Sequence, residues 1–208
     1  MTHTPEDKHT PPPNSGKFFH TIRPYLHYID NGLIFRTPFA WLYTFMAIFN
    51  LLIPVYMLFE AWNKGVFELL EYKYIAVFML IWAIVAFVSW LGFQIWWNRK
   101  DDVLQTYHKG DEFVATPVFA HFVQTLGEWL GTWIGIVGFA VSLTATLFLG
   151  SEGIYMLQAV GLDFMETGFL FAILMPVYGF VILVFSRFLA EQFKALTAIA
   201  NNTRRKED

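Results

Sequence analysis

No cysteine occurs among the 208 residues, which excludes disulfides, thiolate metal sites, cysteine nucleophiles and iron–sulfur clusters. Charge is scarce too: 15% of the residues are Asp, Glu, Lys or Arg, where soluble domains carry about 25%. The few charges nearly cancel, to a net −3, so the basic footprint of a nucleic-acid binder is missing. The chain has no phosphate-cradling glycine loop, no nucleophile elbow and no metalloprotease helix motif. Haem b would need two histidines at membrane depth, and only His121 comes near. The expectation is a non-enzyme with no cofactor and no nucleic-acid partner.

What is present is apolar. Hydrophobic residues make up 56% of the chain and aromatics 19%, and the mean hydropathy is +0.44. Crossing about 30 Å of hydrocarbon takes about 20 apolar residues as a helix. Four runs meet or nearly meet that length, over 39–59, 74–97, 129–149 and 168–185, and helical patterning extends the last two helices to 118–149 and 168–200. The sequence therefore predicts an all-α integral membrane protein with four transmembrane helices, its third and fourth helices extended into the cytoplasm.

Residues 1–16 are polar and broken by Pro5 and the Pro11-Pro12-Pro13 run, a composition that predicts a disordered tail. No secretory signal is expected, because the first strongly apolar run starts too late and lacks a small-residue cleavage site. Over 17–36, Phe18, Phe19, Ile22, Tyr25, Leu26 and Ile29 recur at helical spacing opposite His20, Arg23, His27 and Asp30, which predicts an interfacial amphipathic helix kinked at Pro24. Thr37-Pro38 and Thr116-Pro117 each suit a helix start, with the threonine as N-cap and proline at the first helical position. The four-helix domain thus covers 37–200, and 201–208 is a polar tail.

Lys and Arg are distributed unevenly. The N-terminal segment has four, the loop from 98 to 117 three and the C-terminal segment five, against two in the 60–73 loop and none in the 150–167 loop. Positive loops stay inside, so both termini and the middle loop are predicted to be cytoplasmic. Trp41, Tyr43, Trp96, Trp97 and Trp129 then fall at the inner boundary, and Tyr56, Trp62, Tyr72, Tyr74 and Tyr155 at the outer one.

The strongest pattern lies in span three. Gly127, Gly131, Gly135, Gly138, Ser142 and Thr146 are spaced by 4, 4, 3, 4 and 4 residues, one stripe of small side chains. Small residues let helix backbones approach closely, the main source of association in lipid. Span four offers Ala172, Pro176, Gly179, Ser186 and Ala190 in return. The two stripes either close a hairpin within the chain or line an axis between copies. Trp129, Trp133, Ile136, Leu143 and Leu147 form the bulky opposite stripe, suited to lipid or aromatic packing. Beyond the membrane, Phe119, Phe122, Val123 and Leu126 face Phe185, Leu189, Phe193, Leu196 and Ala200 in an expected helical stalk, with Arg187–Glu191 and Glu191–Lys194 as surface pairs.

Polar residues within spans are functional candidates. His121, Gln124, Glu128 and Thr132 share one face beside the glycine stripe, with Gln94 of span two at similar depth. They form either a polar pathway for protons or cations or a helix start in water just before Trp129. Asn50 sits at the middle of span one, where interhelical hydrogen bonding is expected. Pro54 and Pro176 are expected to kink their helices. His20 and His27 are two turns apart, a spacing that favours solvated histidines over metal ligands.

Phe35-Arg36-Thr37-Pro38 before span one, and Arg187-x-x-x-Glu191 followed by Ile199-Ala200-Asn201-Asn202 at the end, resemble the ends of an uncharacterised family of small bacterial inner-membrane proteins. This chain departs from the pattern in having four predicted spans rather than two. The resemblance implies a bacterial inner-membrane location and no assigned activity.

Abundant packing information beside little polar chemistry leads to the expected function: a non-enzymatic membrane subunit that scaffolds or regulates a larger assembly. Its partners would be the lipid bilayer, further copies of the chain or other membrane subunits. The alternative is a homo-oligomeric ion channel or proton-coupled pathway lined by span three.

Overall fold

The structure, a computed structural model, describes residues 33–105, 115–151 and 168–204. The tail over 1–16, most of the interfacial helix, His20, His27 and the residues beyond 204 lie outside the described residues, as do residues 106–114 of the middle loop and most of the 150–167 loop. Among the described residues every regular element is helical. These are α1 (Leu33–Asn63), a one-turn α2 (Val66–Leu69), α3 (Tyr72–Gln105), α4 (Ala115–Thr144), which runs on into a π-helical turn (Ala145–Leu149), and α5 (Gly168–Arg204).

Four stretches are long and apolar enough to cross a membrane: Arg36–Asn63, Tyr72–Gln105, Ala115–Leu149 and Phe169–Thr203. At 1.5 Å per residue the longest helix, with 37 residues, measures about 55 Å, well beyond a hydrocarbon core of about 30 Å. Each helix therefore overshoots the apolar runs read from the sequence. The reason is simple: an apolar run ends where lipid ends, but a helix continues while its backbone bonds remain satisfied.

The starts differ as well. Residues 33–36 belong to α1 rather than to a separate interfacial helix, so Thr37 is no N-cap and Pro38 lies inside the second turn. In α4 Thr116 likewise lies inside the helix and is no N-cap, and Pro117 is the third helical residue, where its missing N–H costs no hydrogen bond. Between α1 and α3 the chain reverses through Gly65, whose φ of 65° lies in the left-handed region open to glycine.

The helices pack as two antiparallel pairs, α1 with α3 and α4 with α5, and α4 joins them by lying against α3 and, less extensively, α1. α5 packs chiefly on α4, so most of its circumference is bare. Phe169, Ile173, Val177, Phe180 and Val184 are exposed along it, as are Leu52 and Val55 on α1. Water would make such a surface untenable, but lipid is its natural solvent. At the short-loop end, Trp62 and Tyr72 are 75% and 91% exposed, an arrangement that suits the headgroup layer.

The core is small and aromatic. Tyr43, Ala47, Trp96, Val103 and Val118 are fully buried, with Phe39, Phe122, Leu126 and Trp129 packed around them. Tyr43 meets Trp96 edge-on with ring centroids 4.9 Å apart, and Trp96 meets Trp129 at 6.1 Å.

The glycine stripe of α4 is taken up within the chain. A Cβ on Gly131 would lie 2.5 Å from the Gly179 carbonyl oxygen, and one on Gly138 would lie 2.9 Å from Met175 Cγ. Gly127 faces Ser186 in the same way, and Ala172 and Ala190 are buried. Ser142 is buried, and Thr146, in the π-helical turn, donates to the Ser142 carbonyl at 2.7 Å.

The stalk takes its expected form in part. Phe119 packs edge-on against Phe193, at 6.0 Å between centroids. Phe122 and Leu126 instead turn into the core, while Phe185 and Leu196 are exposed. Ala190 and Thr197 occupy the buried side of α5. Close helix approach requires small side chains, and these rather than the large apolar ones set the rotation of α5.

Candidate functional site

The polar residues that the sequence singles out converge where one end of each long helix meets the others. Arg36 and Tyr43 come from the start of α1, Arg99 and Asp102 from the end of α3, His121 to Glu128 from the start of α4, and Lys194 from the last part of α5. Up-and-down packing places these four ends together.

Arg99 and Glu128 form an ion pair between α3 and α4. Gln124 Nε2 donates to the other Glu128 oxygen at 3.0 Å, and Lys194 Nζ donates to Gln124 Oε1 at 3.1 Å, which brings in α5. On the opposite side Arg99 Nη1 donates to Thr125 Oγ1 at 3.3 Å. Thr125 spends its own proton on the His121 carbonyl at 2.9 Å. The Tyr43 hydroxyl donates to Thr125 Oγ1 at 3.1 Å and lies 2.9 Å from His121 Nδ1. Because the single phenolic proton goes to Thr125, the bond to His121 requires Nδ1 to carry the hydrogen. His121 Nε2 is then turned toward Asp102, 3.9 Å away. Two cations and two carboxylates thus share one network, so the cluster carries almost no net charge.

Arg36 sits beside the network. Its Nη1 donates to the Leu104 carbonyl at 2.8 Å, although the residue is only 8% exposed. Leu104 is in the last turn of α3, where carbonyls lack helical partners, and α3 has no basic residue of its own there. α1 therefore supplies the cationic cap that α3 lacks.

Asn50 lies apart, at the middle of α1. Its Oδ1 accepts the indole N–H of Trp129 at 2.8 Å and of Trp133 at 3.3 Å, and its Nδ2 donates to the Met46 carbonyl at 2.7 Å. Trp129 does pack on an aromatic, Trp96, and both tryptophans also turn their indole N–H groups to this amide. Gly92 makes this possible, because a Cβ there would collide with the Asn50 side chain. Trp82 similarly donates to the Pro54 carbonyl, at 2.9 Å.

Of the predicted polar pathway, His121, Gln124 and Glu128 are in the cluster, and Asn50 is in the separate α1–α4 contact. Thr132 donates to the Glu128 carbonyl at 2.7 Å and, with Gln94, lines a cleft between α3 and α4. The groups absent from the sequence-based set are Tyr43, Arg99, Asp102 and Lys194 as partners, and the tryptophans as donors. One signal for Arg99 and Asp102 was available, since Gln94, Asn98 and Asp102 keep helical spacing past the apolar run. Nothing in the sequence pairs Tyr43 with His121, 78 positions away.

Beside the polar cluster Trp96 packs against both Phe122 and Trp129, at 6.0 and 6.1 Å between centroids. Chemically, the arrangement satisfies charges at a membrane boundary and ties helices together. Among the described residues no group of three or more metal-ligating side chains occurs.

Four apolar helices of this length and composition define an integral multi-pass membrane protein. No protein family, curated protein or solved structure matches the chain.

Proposed function

We propose that the protein is a non-enzymatic membrane subunit that scaffolds or regulates a larger membrane assembly, seated in a bacterial inner membrane with both ends in the cytoplasm. The observation that carries this reading is how the polar side chains are used. Arg99 with Glu128, Tyr43 with His121 and Asn50 with Trp129 each join two helices of the same chain, while the outer face of α5 is left to partners or lipid. That face continues past Arg187, where Leu196 and Ile199 are 62% and 63% exposed. Large apolar side chains on a helix leaving the membrane favour a protein or headgroup surface against them.

The test is the native mass of the protein gently extracted from its own membrane, with identification of what accompanies it in fixed ratio. A defined complex that dissociates when Leu196 and Ile199 are both changed to Lys, with insertion intact, supports the scaffold. A monomer with no stoichiometric partner overturns it. A homo-oligomer that conducts ions, and whose flux in liposomes changes with Glu128→Gln, would replace the scaffold with the channel. The pairing of Glu128 with Arg99 and the aromatic rings packed beside it favour the scaffold.

A further inference from the structure

Between α3 and α4 lies a cleft of about 340 Å³, lined by Leu91, Gln94, Ile95, Asn98 and Arg99 of α3 and Thr132 of α4. It is an open groove on the outer surface of the helix pair rather than an enclosed cavity, a shape that suits a ligand lying along the helices. Its lining changes along the helix axis. Leu91 is apolar, Gln94 and Ile95 in the next turn mix an amide with an apolar side chain, Thr132 adds a hydroxyl from α4, and Asn98 and Arg99 close the end at the polar cluster. From Leu91 to Arg99 the rise is about 12 Å. Polarity rises from Leu91 to the Asn98 and Arg99 end, the direction from acyl chain through glycerol ester to phosphate in a membrane lipid.

Arg99 is suited to the last place. Thr125 and Glu128 take one N–H each, of the five that a guanidinium carries. Those two bonds hold the group from behind and leave donors over for an anionic oxygen. Asn98 and Gln94 are joined by a single long bond of 3.4 Å, so both amides have capacity for another partner. Lys100 lies over the Trp97 ring at 4.2 Å to the centroid, and Trp97 is 41% exposed, the pairing of ring and cation that marks a headgroup boundary.

We propose that this cleft binds the phosphodiester of a glycerophospholipid, with Arg99, Asn98 and Gln94 on the phosphate and glycerol region and an acyl chain along Leu91 and Ile95. The site binds lipid whichever larger assembly the protein joins.

The test uses the full chain, purified in detergent and stripped of lipid. Phosphatidylglycerol, phosphatidylcholine, diacylglycerol with the same acyl chains, and soluble glycerol 3-phosphate are titrated separately. Thermal unfolding and native mass spectrometry serve as readouts. Both phospholipids are expected to raise the melting temperature and to be retained, and the other two probes are not. Asn98→Leu, at an exposed position, is expected to weaken phospholipid binding roughly tenfold, the loss of one hydrogen bond to a charged group. Should that variant fail to fold, Leu91→Trp fills the cleft and must also reduce retention. An equal response to diacylglycerol, an equal response to glycerol 3-phosphate, or unchanged phospholipid binding by a folded variant would each overturn the proposal.

Discussion

Trp129 donates its indole N–H to Asn50 Oδ1 across 2.8 Å, joining α4 to the middle of α1. Asn50 is fully buried, and Trp133 donates to the same oxygen. Asn50→Leu keeps the volume but leaves two indole donors unpaired in an apolar layer. The expected loss is about 1–2 kcal/mol, near the upper end for interhelical hydrogen bonds in membranes. Reversible unfolding in mixed micelles measures it, and an unchanged midpoint would show that the indoles find other partners.

The glycines of α4 should differ sharply among themselves. A Cβ at Gly131 would press on the Gly179 carbonyl at 2.5 Å, whereas at Gly135 its nearest neighbours are 3.8 Å away. Gly131→Ala is expected to destabilise by about 1–3 kcal/mol through overpacking. Gly135→Ala should be neutral or slightly stabilising, because alanine favours helix. Equal melting temperatures for the two variants would contradict the packing described.

Arg99 and Glu128 should behave as a unit. Their side chains are 26% and 14% exposed, so removing one leaves a poorly hydrated charge. Arg99→Met or Glu128→Gln alone is expected to cost more than the double variant costs in sum, since breaking a buried pair costs about 3–5 kcal/mol and replacing both partners much less. A double-mutant cycle read from unfolding midpoints gives the coupling. Additive losses would mean that the two groups are independently solvated.

Tyr43→Phe removes the hydroxyl shared by His121 and Thr125 but keeps the ring against Trp96. The expected cost is about 1 kcal/mol. Tyr43→Ala also empties a fully buried site and should cost about 3–5 kcal/mol. A similar loss in both variants would assign the effect to the hydroxyl rather than to ring packing.

The spans, the small-residue stripe on α4 and its counterpart on α5 were legible because hydropathy and helical periodicity are local properties, carried by residues within a few turns. The end of α3 was not, because an apolar count stops at Trp97 while helical hydrogen bonding continues to Gln105. The same limit hid Arg99 in an expected loop and left Glu128 without a visible partner.

The sequence by itself determined that this is a four-span membrane protein, which residues are small enough for close helix contact, and that Asn50 must find a hydrogen bond in the membrane interior. Only the tertiary structure decided who meets whom. Trp129 turning to Asn50, Arg99 reaching Glu128, and Arg36 capping a neighbouring helix each join residues separated by 79, 29 and 68 positions. The lateral order and rotation of helices in lipid depend on side-chain fit between surfaces, and periodicity along one helix holds no record of its neighbour.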